Sequence, residues 1–441
     1  MPQIIPFKTT HYSDRYSAEL DKLITPPYDI ISPAEQEAFY KAHELNVIRL
    51  VLGKELQSDS NGSNRYTRAS DTLKTWLKEG VLAVDERPGF AVYRMDFEQP
   101  GGGRRSIDGF VALVKVDDYG KGKVLPHEKT YKGPKADQLN LLRACRAHFT
   151  PIHSLFPDDD ATVVNTYSRF IQGKPFRETV DADGTIHQVW IIHDEDAIAT
   201  IQNALESKSI FIADGHHRYE TALAYKQERI AAGDSSPDGP HEWVMMYLTA
   251  MNHPGLLILP AHRMVTGLKN FDPSRMEEAL AAYFEIEMVC FSEQNREEVS
   301  AQLVERIRSY SDIGGKFGMV IQGENCFRLL RLKDFGKVDA AMDADIPSSL
   351  RGLDVTILRE IIMNFGLGMD KENCEGQIAY TPLISEALSK ALNGEYQVSF
   401  ILNPTRVDQM RTAAELGHKL PHKSTYFFPK ISSGLVFNVF R

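Results

Sequence analysis

Apolar positions recur at two different spacings along the chain and predict a mixture of helices and strands. Helical spacing over Tyr66–Gly80 predicts an amphipathic helix that stops at the glycine. Alternation over Phe90–Phe97 and Ile107–Val116 predicts two strands joined by a glycine-rich loop. The apolar run Asn46–Leu52 indicates a buried strand. Ser32, which is followed by a proline, is typical of a helix start.

The pattern after residue 255 predicts a second α/β region. Between about 256 and 335 the order is strand, helix, strand, helix, strand, strand, which favours a ferredoxin-like sandwich. A helix over Asp354–Asn364 and a strand over Gln397–Leu402 follow. Because 441 residues are too many for one core, we predict a mixed α/β (α+β) chain of three regions. These are a catalytic region at 1–255, the sandwich at 256–340, and a region at 341–441 that packs back on the first.

Composition and charge narrow the class of protein. The chain is 42% hydrophobic and 25% charged, with a net charge of -10. This balance argues against a protein that covers nucleic acid through bulk charge, although it allows a local phosphate pocket. The beginning of the chain lacks a signal-type apolar segment, and no apolar run approaches the roughly 18–20 residues of a membrane span. We therefore expect a cytoplasmic protein without a membrane partner.

The four cysteines are far apart in the sequence, and none belongs to a CxxC pair. This spacing predicts reduced, mostly buried thiols rather than a disulfide framework or a cysteine zinc site. The cysteines are Cys145, Cys290, Cys326 and Cys374.

The segment Ile210–Glu220, with the sequence IFIADGHHRYE, carries the strongest chemical signal. Ser209–Ala213 reads as a buried strand, Gly215 permits a tight turn, and a helix follows over Tyr219–Arg229. The free N–H groups and the dipole of such a helix start attract an anion. We therefore predict a phosphate site around Gly215.

The side chains beside Gly215 suit that chemistry. Arg218 can bind a phosphate through two hydrogen bonds, and His216 and His217 lie where the anion would be. His217 can also transfer a proton. Asp214 only accepts hydrogen bonds when ionised, so it suits a magnesium ion. The simpler interpretation is a helix start capped by Asp214, with histidines that only pack.

Tyr28 and Asp29 lie in the segment TPPYDIIS, which two prolines make stiff and extended. Tyr28 is a candidate substrate-binding residue. Asp29 is a candidate catalytic base or magnesium ligand, and the alternative is a structural Asx-turn.

The loop Lys123–Lys135 holds several ionisable groups. Glu128 could deprotonate a substrate hydroxyl, and His127 could bind phosphate or act as an acid. Lys129 and Lys135 could neutralise a polyphosphate substrate. The alternative is a solvated charged loop.

The segment PHKSTYFFPK near residue 425 supplies a further phosphate-binding candidate. Lys423, Ser424 and Thr425 carry side chains that donate hydrogen bonds to phosphates. The aromatic pair that follows is more typical of a core.

Four motifs together resemble one prokaryotic family, the domain of unknown function 1015. They are TPPYDIIS, VLPHEKTYKGPK, FIADGHHRYETAL and PHKSTYFFPK. The DGHHR element is also similar to the phosphate-binding element of the ParB/sulfiredoxin superfamily, which includes free-serine kinases. Asp214, Gly215, His217 and Arg218 match its D, G, H and R, whereas His216 fills the variable place without a sulfiredoxin-type cysteine. The resemblance implies a ParB/sulfiredoxin-like core in the first region.

The residues and the resemblance together predict a phosphoryl-transfer enzyme that acts on a small hydroxylated metabolite. Serine or phosphoserine is implied by the resemblance to free-serine kinases and by family members encoded beside serine-biosynthesis genes. The kinase and phosphatase directions stay open. Magnesium and a donor such as ATP, ADP or pyrophosphate are the expected cofactors, and His127, Glu128, His217 and Asp29 are the candidate catalytic residues.

Two alternatives remain open at this stage. One is a ParB-like nucleotide-binding regulator without catalysis, and the other is a divalent-metal hydrolase centred on His127, Glu128, His216 and His217. P-loop, Rossmann, α/β-hydrolase and zincin motifs are absent from the sequence. The expected partner is a small phosphorylated substrate rather than nucleic acid, and the oligomeric state stays open.

Overall fold

The computed structural model describes residues 3–120, 122–130, 132–308, 313–369 and 375–440. It shows a mixed α/β protein with several sheets. The chain forms two compact units. Unit 1 comprises residues 1–126, 130–257 and 429–441, and unit 2 comprises residues 127–129 and 258–428. The three-region division at 255 and 340 stays a prediction about domains.

The strands, in chain order, are β1 (Ile4–Ile5), β2 (Thr10–Tyr12), β3 (Leu82–Val84), β4 (Phe90–Glu98), β5 (Arg104–Lys115), β6 (Val124–Leu125), β7 (Ala147–His148), β8 (Ile152–Phe156), β9 (Arg177–Val180), β10 (Ile186–Ile192), β11 (Ile210–Asp214), β12 (Trp243–Ala250), β13 (Leu257–Leu259), β14 (His262–Val265), β15 (Phe284–Cys290), β16 (Lys316–Ile321), β17 (Cys326–Leu332), β18 (Ile378–Thr381), β19 (Val398–Ile401), β20 (Tyr426–Phe428) and β21 (Asn438–Val439).

The α-helices are α1 (Leu20–Leu23), α2 (Pro33–Ala42), α3 (Ile48–Val51), α4 (Arg65–Lys78), α5 (Lys132–Cys145), α6 (Thr162–Ser168), α7 (Glu195–Leu205), α8 (His216–Ala231), α9 (Pro273–Leu280), α10 (Arg296–Ile307), α11 (Phe335–Ala341), α12 (Ser348–Arg351), α13 (Asp354–Ile357), α14 (Ile384–Leu392) and α15 (Val407–Glu415). A π-helix, Leu358–Gly366, continues α13. Short 3-10 turns occur at Asp14–Glu19, Tyr28–Ile30, Pro240–Glu242 and Glu375–Gln377. Within the described part of the chain, no helix combines the length and apolar character needed to cross a bilayer.

Unit 1 is built around a nine-stranded mixed sheet in the order β6-β11-β8-β12-β5-β4-β10-β9, with β1 paired to β5. The pairs β11/β6 and β12/β8 are parallel, and the remaining pairs in this sheet are antiparallel. All eight residues of β12 are buried, as expected for a central strand covered on both faces. The sheet therefore holds β11, which leads into the segment around Gly215, rigidly near one edge.

Local signals in unit 1 produced the predicted elements. Ser32 caps α2 by accepting from the N–H of Glu35, and the Glu35 side chain accepts from the N–H of Ser32 in return. The predicted amphipathic helix forms as α4, and the predicted hairpin forms as β4 and β5. These predictions are confirmed.

The predicted strand at Asn46–Leu52 is wrong, because this segment forms the short helix α3. The side chain of Asn46 accepts a 2.8 Å hydrogen bond from the N–H of Ile48 and starts a helical turn. Burial on all sides produces the same apolar run in a short helix as in a buried strand. The loop predicted at Lys123–Lys135 also differs, since it contains β6 and the first residues of α5.

Residues 429–440 complete unit 1, although residues 258–428 separate them from the rest of it. Ser433 exchanges two backbone hydrogen bonds with Thr25, at 2.8 and 3.1 Å. Phe437 does the same with Thr10, and its side chain is fully buried in the core formed by α1 to α4. The short strand β21 pairs with β7.

A buried polar cluster lies where β5 meets α6. The carboxylate of Asp108 accepts from Arg94 at 2.9 Å and from the hydroxyl of Tyr167 at 2.8 Å, and it lies 3.3 Å from Nε2 of His253. Burial alone would raise the pKa of Asp108, but these partners lower it to about 2. The carboxylate is therefore ionised in the folded protein.

Unit 2 contains an antiparallel six-stranded sheet in the order β15-β17-β16-β19-β14-β18. Helices α10 and α14 bury their apolar faces in its core. The predicted order of elements over 256–335 is confirmed, but the sheet also includes strands from beyond residue 340. Strand β19, from residues 398–401, lies between β16 and β14, because hydrogen-bonded pairing rather than sequence order sets the sheet.

The prediction that all cysteines are reduced is wrong for one pair. Cys290 and Cys326 form a disulfide, because the antiparallel register of β15 and β17 places them directly opposite each other. Their sequence separation of 36 gave no sign of this register. Cys145 is a free, buried thiol as predicted, and Cys374 lies outside the described residues.

Candidate functional site

The predicted strand, turn and helix around Gly215 are confirmed. Strand β11 ends at Asp214, Gly215 has a φ of 98°, and α8 begins at His216, three residues before the predicted start. The pairing of β11 with β8 shifts register between Ile212 and Asp214. A Cβ at position 215 would lie 2.9 Å from the guanidinium of Arg218. The positive φ therefore favours glycine here, and a side chain would also displace the guanidinium of Arg218.

Three charged side chains converge beside this turn, and we call them the 214 cluster: Asp214, Arg218 and Lys430. One carboxylate oxygen of Asp214 accepts from Arg218 at 2.8 Å, and the other accepts from Nζ of Lys430. The side chains are only 17%, 10% and 13% exposed, respectively. Two cations face one carboxylate, so the cluster carries a net positive charge.

The charge state of Asp214 follows from this geometry. Burial alone would raise the pKa of its carboxyl, but Lys430 and Arg218 hold that pKa well below its ordinary value. His153 on the neighbouring strand β8 is buried, and burial lowers its pKa to about 3. Asp214 is therefore ionised and His153 neutral at neutral pH.

Arg218 is fixed in place by backbone as well as by Asp214. One of its terminal nitrogens donates to the carbonyl of Thr150 at 3.4 Å and also to that of Pro151. Its predicted role was direct contact with a phosphate. In the structure its guanidinium orients Asp214 and the segment that precedes β8.

Tyr28 lies in the electrostatic environment of the cluster. Burial raises the pKa of its hydroxyl, and the charges of Asp29 and Asp214 add to this effect, whereas Arg218 opposes it. Tyr28 also lines the same cavity as Arg218. Tyr28 and Asp29 lie on the same 3-10 turn, where Asp29 is exposed. The catalytic role of Asp29 stays a prediction.

A second polar cluster links α5 to α8. The carboxylate of Glu220 accepts from the hydroxyl of Thr130 at 2.5 Å and from Nζ of Lys135 at 2.8 Å. Lys135, predicted to neutralise a polyphosphate, is thus paired with a carboxylate. His216 is buried and His217 half-buried in the first turn of α8.

Unit 2 brings two of the predicted motifs together. Nε2 of buried His127 lies 2.9 Å from the hydroxyl of Thr425, and the carbonyl of His127 accepts from the N–H of Leu420 at 2.8 Å. Ser424 is buried, and its hydroxyl donates to the carbonyl of Pro421. The hydroxyls of Ser424 and Thr425 were predicted to bind phosphate, and in the structure both form hydrogen bonds within unit 2.

The remaining predicted residues of unit 2 are more accessible. Glu128 is half-buried and forms a parallel bridge with Leu420, and Lys129 is exposed. Lys423 is exposed and has a φ of 54°. Their roles in catalysis, substrate binding and phosphate binding stay predictions.

A family model described as "Protein of unknown function (DUF1015)" matches residues 4–356. The chain belongs to this family. No curated protein sequence matches it significantly. Residues beyond 356, including Lys430 of the 214 cluster, lie outside the matched stretch of this DUF1015 protein.

Several solved structures are distantly similar. A free serine kinase in complex with AMP is 12% identical over 72% of this chain and 88% of its own, with a TM-score of 0.35. A conserved hypothetical protein from Pyrococcus furiosus is 12% identical over 72% of this chain and 92% of its own, with a TM-score of 0.32. SbnI from Staphylococcus aureus, with a C-terminal truncation, is 11% identical over 72% of this chain and 82% of its own, also with a TM-score of 0.32. TM-scores of this size do not establish a common fold.

The magnesium site predicted at Asp214 does not fit the geometry. Both oxygens of this carboxylate accept from cationic side chains, which would repel a divalent cation. Among the described residues, no group of three or more His, Cys, Asp or Glu side chains could hold a metal ion. We assign no metal to this cluster.

Lys430 is the member of the cluster that the sequence analysis did not place at the site. It is the last residue of PHKSTYFFPK, so its membership of that motif was the available signal. Thr130 and Glu220, which form the second cluster, were also missed. Their positions just after LPHEK and inside the DGHHRYE element are the corresponding signals.

Proposed function

We propose that the protein binds a phosphate group beside the 214 cluster and catalyses phosphoryl transfer on a small hydroxylated metabolite. The observation that supports this proposal is the net positive charge of the cluster at the start of α8. Serine or phosphoserine is the first substrate to test, on the resemblance of the DGHHR element to free-serine kinases. A ParB/sulfiredoxin-like core in unit 1 is part of the same proposal.

The electrostatics of the cluster favour an anion. Two cations and one ionised carboxylate leave one positive charge among side chains that are less than a fifth exposed. The start of the 16-residue helix α8 adds its dipole, and the cap residue Gly215 has no side chain to satisfy it. The net charge of these three side chains and the helix start therefore both attract an anion.

Within this proposal the cluster works by positioning and electrostatics rather than by covalent chemistry. Lys430 and the start of α8 attract the transferring phosphate. Arg218 fixes the carboxylate of Asp214, whose lowered pKa makes it a poor base. The group that aligns the substrate hydroxyl is therefore another residue, and Asp29 is the candidate from the sequence that lies in unit 1. His217 remains a candidate for proton transfer.

Phosphorus NMR tests the proposal. The protein is incubated with serine, magnesium and ATP, ADP or pyrophosphate, and in parallel with phosphoserine alone. We expect phosphoserine or inorganic phosphate to form in one mixture and the rate to fall at least tenfold in Lys430→Met. Lys208→Met is the matched control. Lys208 also pairs with a carboxylate of unit 1, that of Asp158, but it precedes β11 and is not part of the 214 cluster. No turnover in any mixture would refute the serine assignment.

Two further measurements address the alternative functions. Tight, salt-sensitive binding of duplex DNA would support a ParB-like regulator instead. One equivalent of tightly held zinc or iron in protein purified without added ions would support a metal hydrolase. Turnover that is unchanged in Lys430→Met would overturn the assignment of the site even if phosphoryl transfer occurs.

A further inference from the structure

A cavity of about 50 Å³ lies in unit 1 beside the 214 cluster. Most of its wall is apolar, and its polar lining comes from six side chains: Tyr28, Gln138, His148, Thr150, Arg218 and Thr221. On this measure roughly 10–15 Å³ is enough to hold one water molecule, so the cavity has room for a small polar group.

Two of these polar side chains have buried atoms without a hydrogen-bond partner. Thr221 is 4% exposed, and its hydroxyl oxygen has no partner. A threonine in a helix commonly bonds to the carbonyl four residues earlier, as Thr166 does to Thr162 at 2.7 Å. Nε2 of His148 is also buried without a partner. Leaving two such atoms unpaired is costly unless a ligand or an ordered water molecule pairs with them.

The protonation of His148 follows from its neighbour. Burial lowers its pKa to about 3, so the ring is neutral at neutral pH. Its Nδ1 lies 3.2 Å from the amide nitrogen of Asn438, which can only donate. Nδ1 is therefore the acceptor, and Nε2 carries the proton. His148 thus presents an unpaired N–H donor.

Arg218 and Nε2 of His148 only donate, whereas the hydroxyls of Tyr28, Thr150 and Thr221 and the amide of Gln138 can donate or accept. The guanidinium of Arg218 only donates, and the cluster to which it belongs carries a net positive charge. Burial raises the pKa of the Tyr28 hydroxyl, which therefore keeps its proton. A ligand that pairs with the donors Arg218, Thr221 and Nε2 of His148 offers acceptor oxygens and a negative charge.

We propose that this cavity is a substrate subsite that binds a carboxylate, with the Thr221 hydroxyl and the Nε2–H of His148 as specific donors. The substrate of the site is then a small hydroxycarboxylate or aminocarboxylate rather than a sugar or an alcohol. This inference deepens the proposed function and relies on it for the reaction. The binding itself is measurable without turnover.

Isothermal titration of the full chain with glycolate and with its neutral analogue glycolamide tests the inference. We expect saturable binding of glycolate and at least tenfold weaker binding of glycolamide. Thr221→Val removes the hydroxyl at nearly constant shape and should weaken glycolate binding about tenfold. His148→Phe should also weaken it, and His148→Gln, which retains an N–H donor, should recover part of the affinity.

The matched control is Thr166→Val, because Thr166 is 6% exposed in α6 and its hydroxyl is paired. It should leave glycolate affinity unchanged and lower thermal stability. Thr221→Val should leave the stability of the free protein unchanged or higher, since it removes an unpaired polar group.

Several results would overturn the subsite. They are the absence of saturable glycolate binding, equal affinity for glycolamide, and wild-type glycolate affinity in Thr221→Val. The first would mean that the cavity holds only water. Titration with inorganic phosphate separates this failure from failure of the proposed function. Phosphate binding should be weakened by Lys430→Met and unchanged by Thr221→Val.

Discussion

Asp214→Asn changes the charge balance of the 214 cluster without changing its shape. The substitution leaves Arg218 and Lys430 facing each other without a counter-charge, at exposures of 10% and 13%. Removing one partner of a buried ion pair costs about 3–5 kcal/mol. Because each side chain keeps some contact with solvent, we expect unit 1 to lose about 3 kcal/mol of its free energy of unfolding.

Urea unfolding followed by tryptophan fluorescence measures this loss in unit 1. The chain has three tryptophans, Trp76, Trp190 and Trp243, and all belong to this unit. Asp234→Asn is the control, since Asp234 pairs with Arg229 near the other end of α8, where the two side chains are 37% and 42% exposed. Loss of that surface pair should leave the urea midpoint nearly unchanged, because exposed ion pairs are largely screened by solvent.

A second substitution separates charge imbalance from packing. Adding Lys430→Met to Asp214→Asn restores the net charge of the cluster to +1 and should recover part of the lost stability. The reasoning also sets a pH dependence. Since the pKa of Asp214 is lower in the folded protein, its stabilisation is complete above about pH 4 and is lost as the pH falls. A loss below about 1 kcal/mol in Asp214→Asn, or no recovery in the double variant, would refute the reasoning.

The remaining predictions concern other parts of the chain. The pKa of Asp108 is lowered to about 2 in the folded protein. Between pH 4 and pH 2, the free energy of unfolding should therefore fall by about 2 kcal/mol more in the wild type than in Asp108→Asn. Equal acid sensitivity of the two proteins in fluorescence-monitored unfolding would contradict this. Replacing Cys290 and Cys326 by serine opens a loop of 36 residues and should destabilise unit 2 by about 4 kcal/mol in calorimetry, whereas an unchanged transition would argue against the bond. Gly109→Ala places a Cβ 2.3 Å from a carbonyl oxygen of β12 and should cost about 1–3 kcal/mol in urea unfolding. Gly173→Ala meets no atom within 4 Å and should cost little, so equal losses would contradict the packing argument.

Elements with local signals could be predicted from the sequence. The helix start at Ser32 needs only a side chain and a backbone N–H three residues apart, and both are visible in the sequence. The strand, turn and helix around Gly215 depend on a short apolar run, one glycine and an amphipathic stretch. The segment Asn46–Leu52 lacked such a signal, because a segment that is buried on all sides has no regular spacing of polar residues to separate a helix from a strand.

Features that depend on pairing between distant segments could not be predicted. The bond between Cys290 and Cys326 follows from strand register, and β19 enters the sheet of unit 2 from residues 398–401. The contact between Lys430 and Asp214 joins residues 216 positions apart. The sequence identified Asp214, Gly215 and Arg218 as neighbours, but the second cation of the cluster came from the fold.

The return of residues 429–440 to unit 1 has a consequence for the order of protein synthesis. A ribosome translates Asp214 and Arg218 long before Lys430, since residues 258–428 come between them. Until the later segment emerges, the nascent unit lacks β21, the buried ring of Phe437 and the second cation at Asp214. The 214 cluster is therefore one of the last features that the growing chain acquires, and a chain interrupted before residue 430 cannot form it.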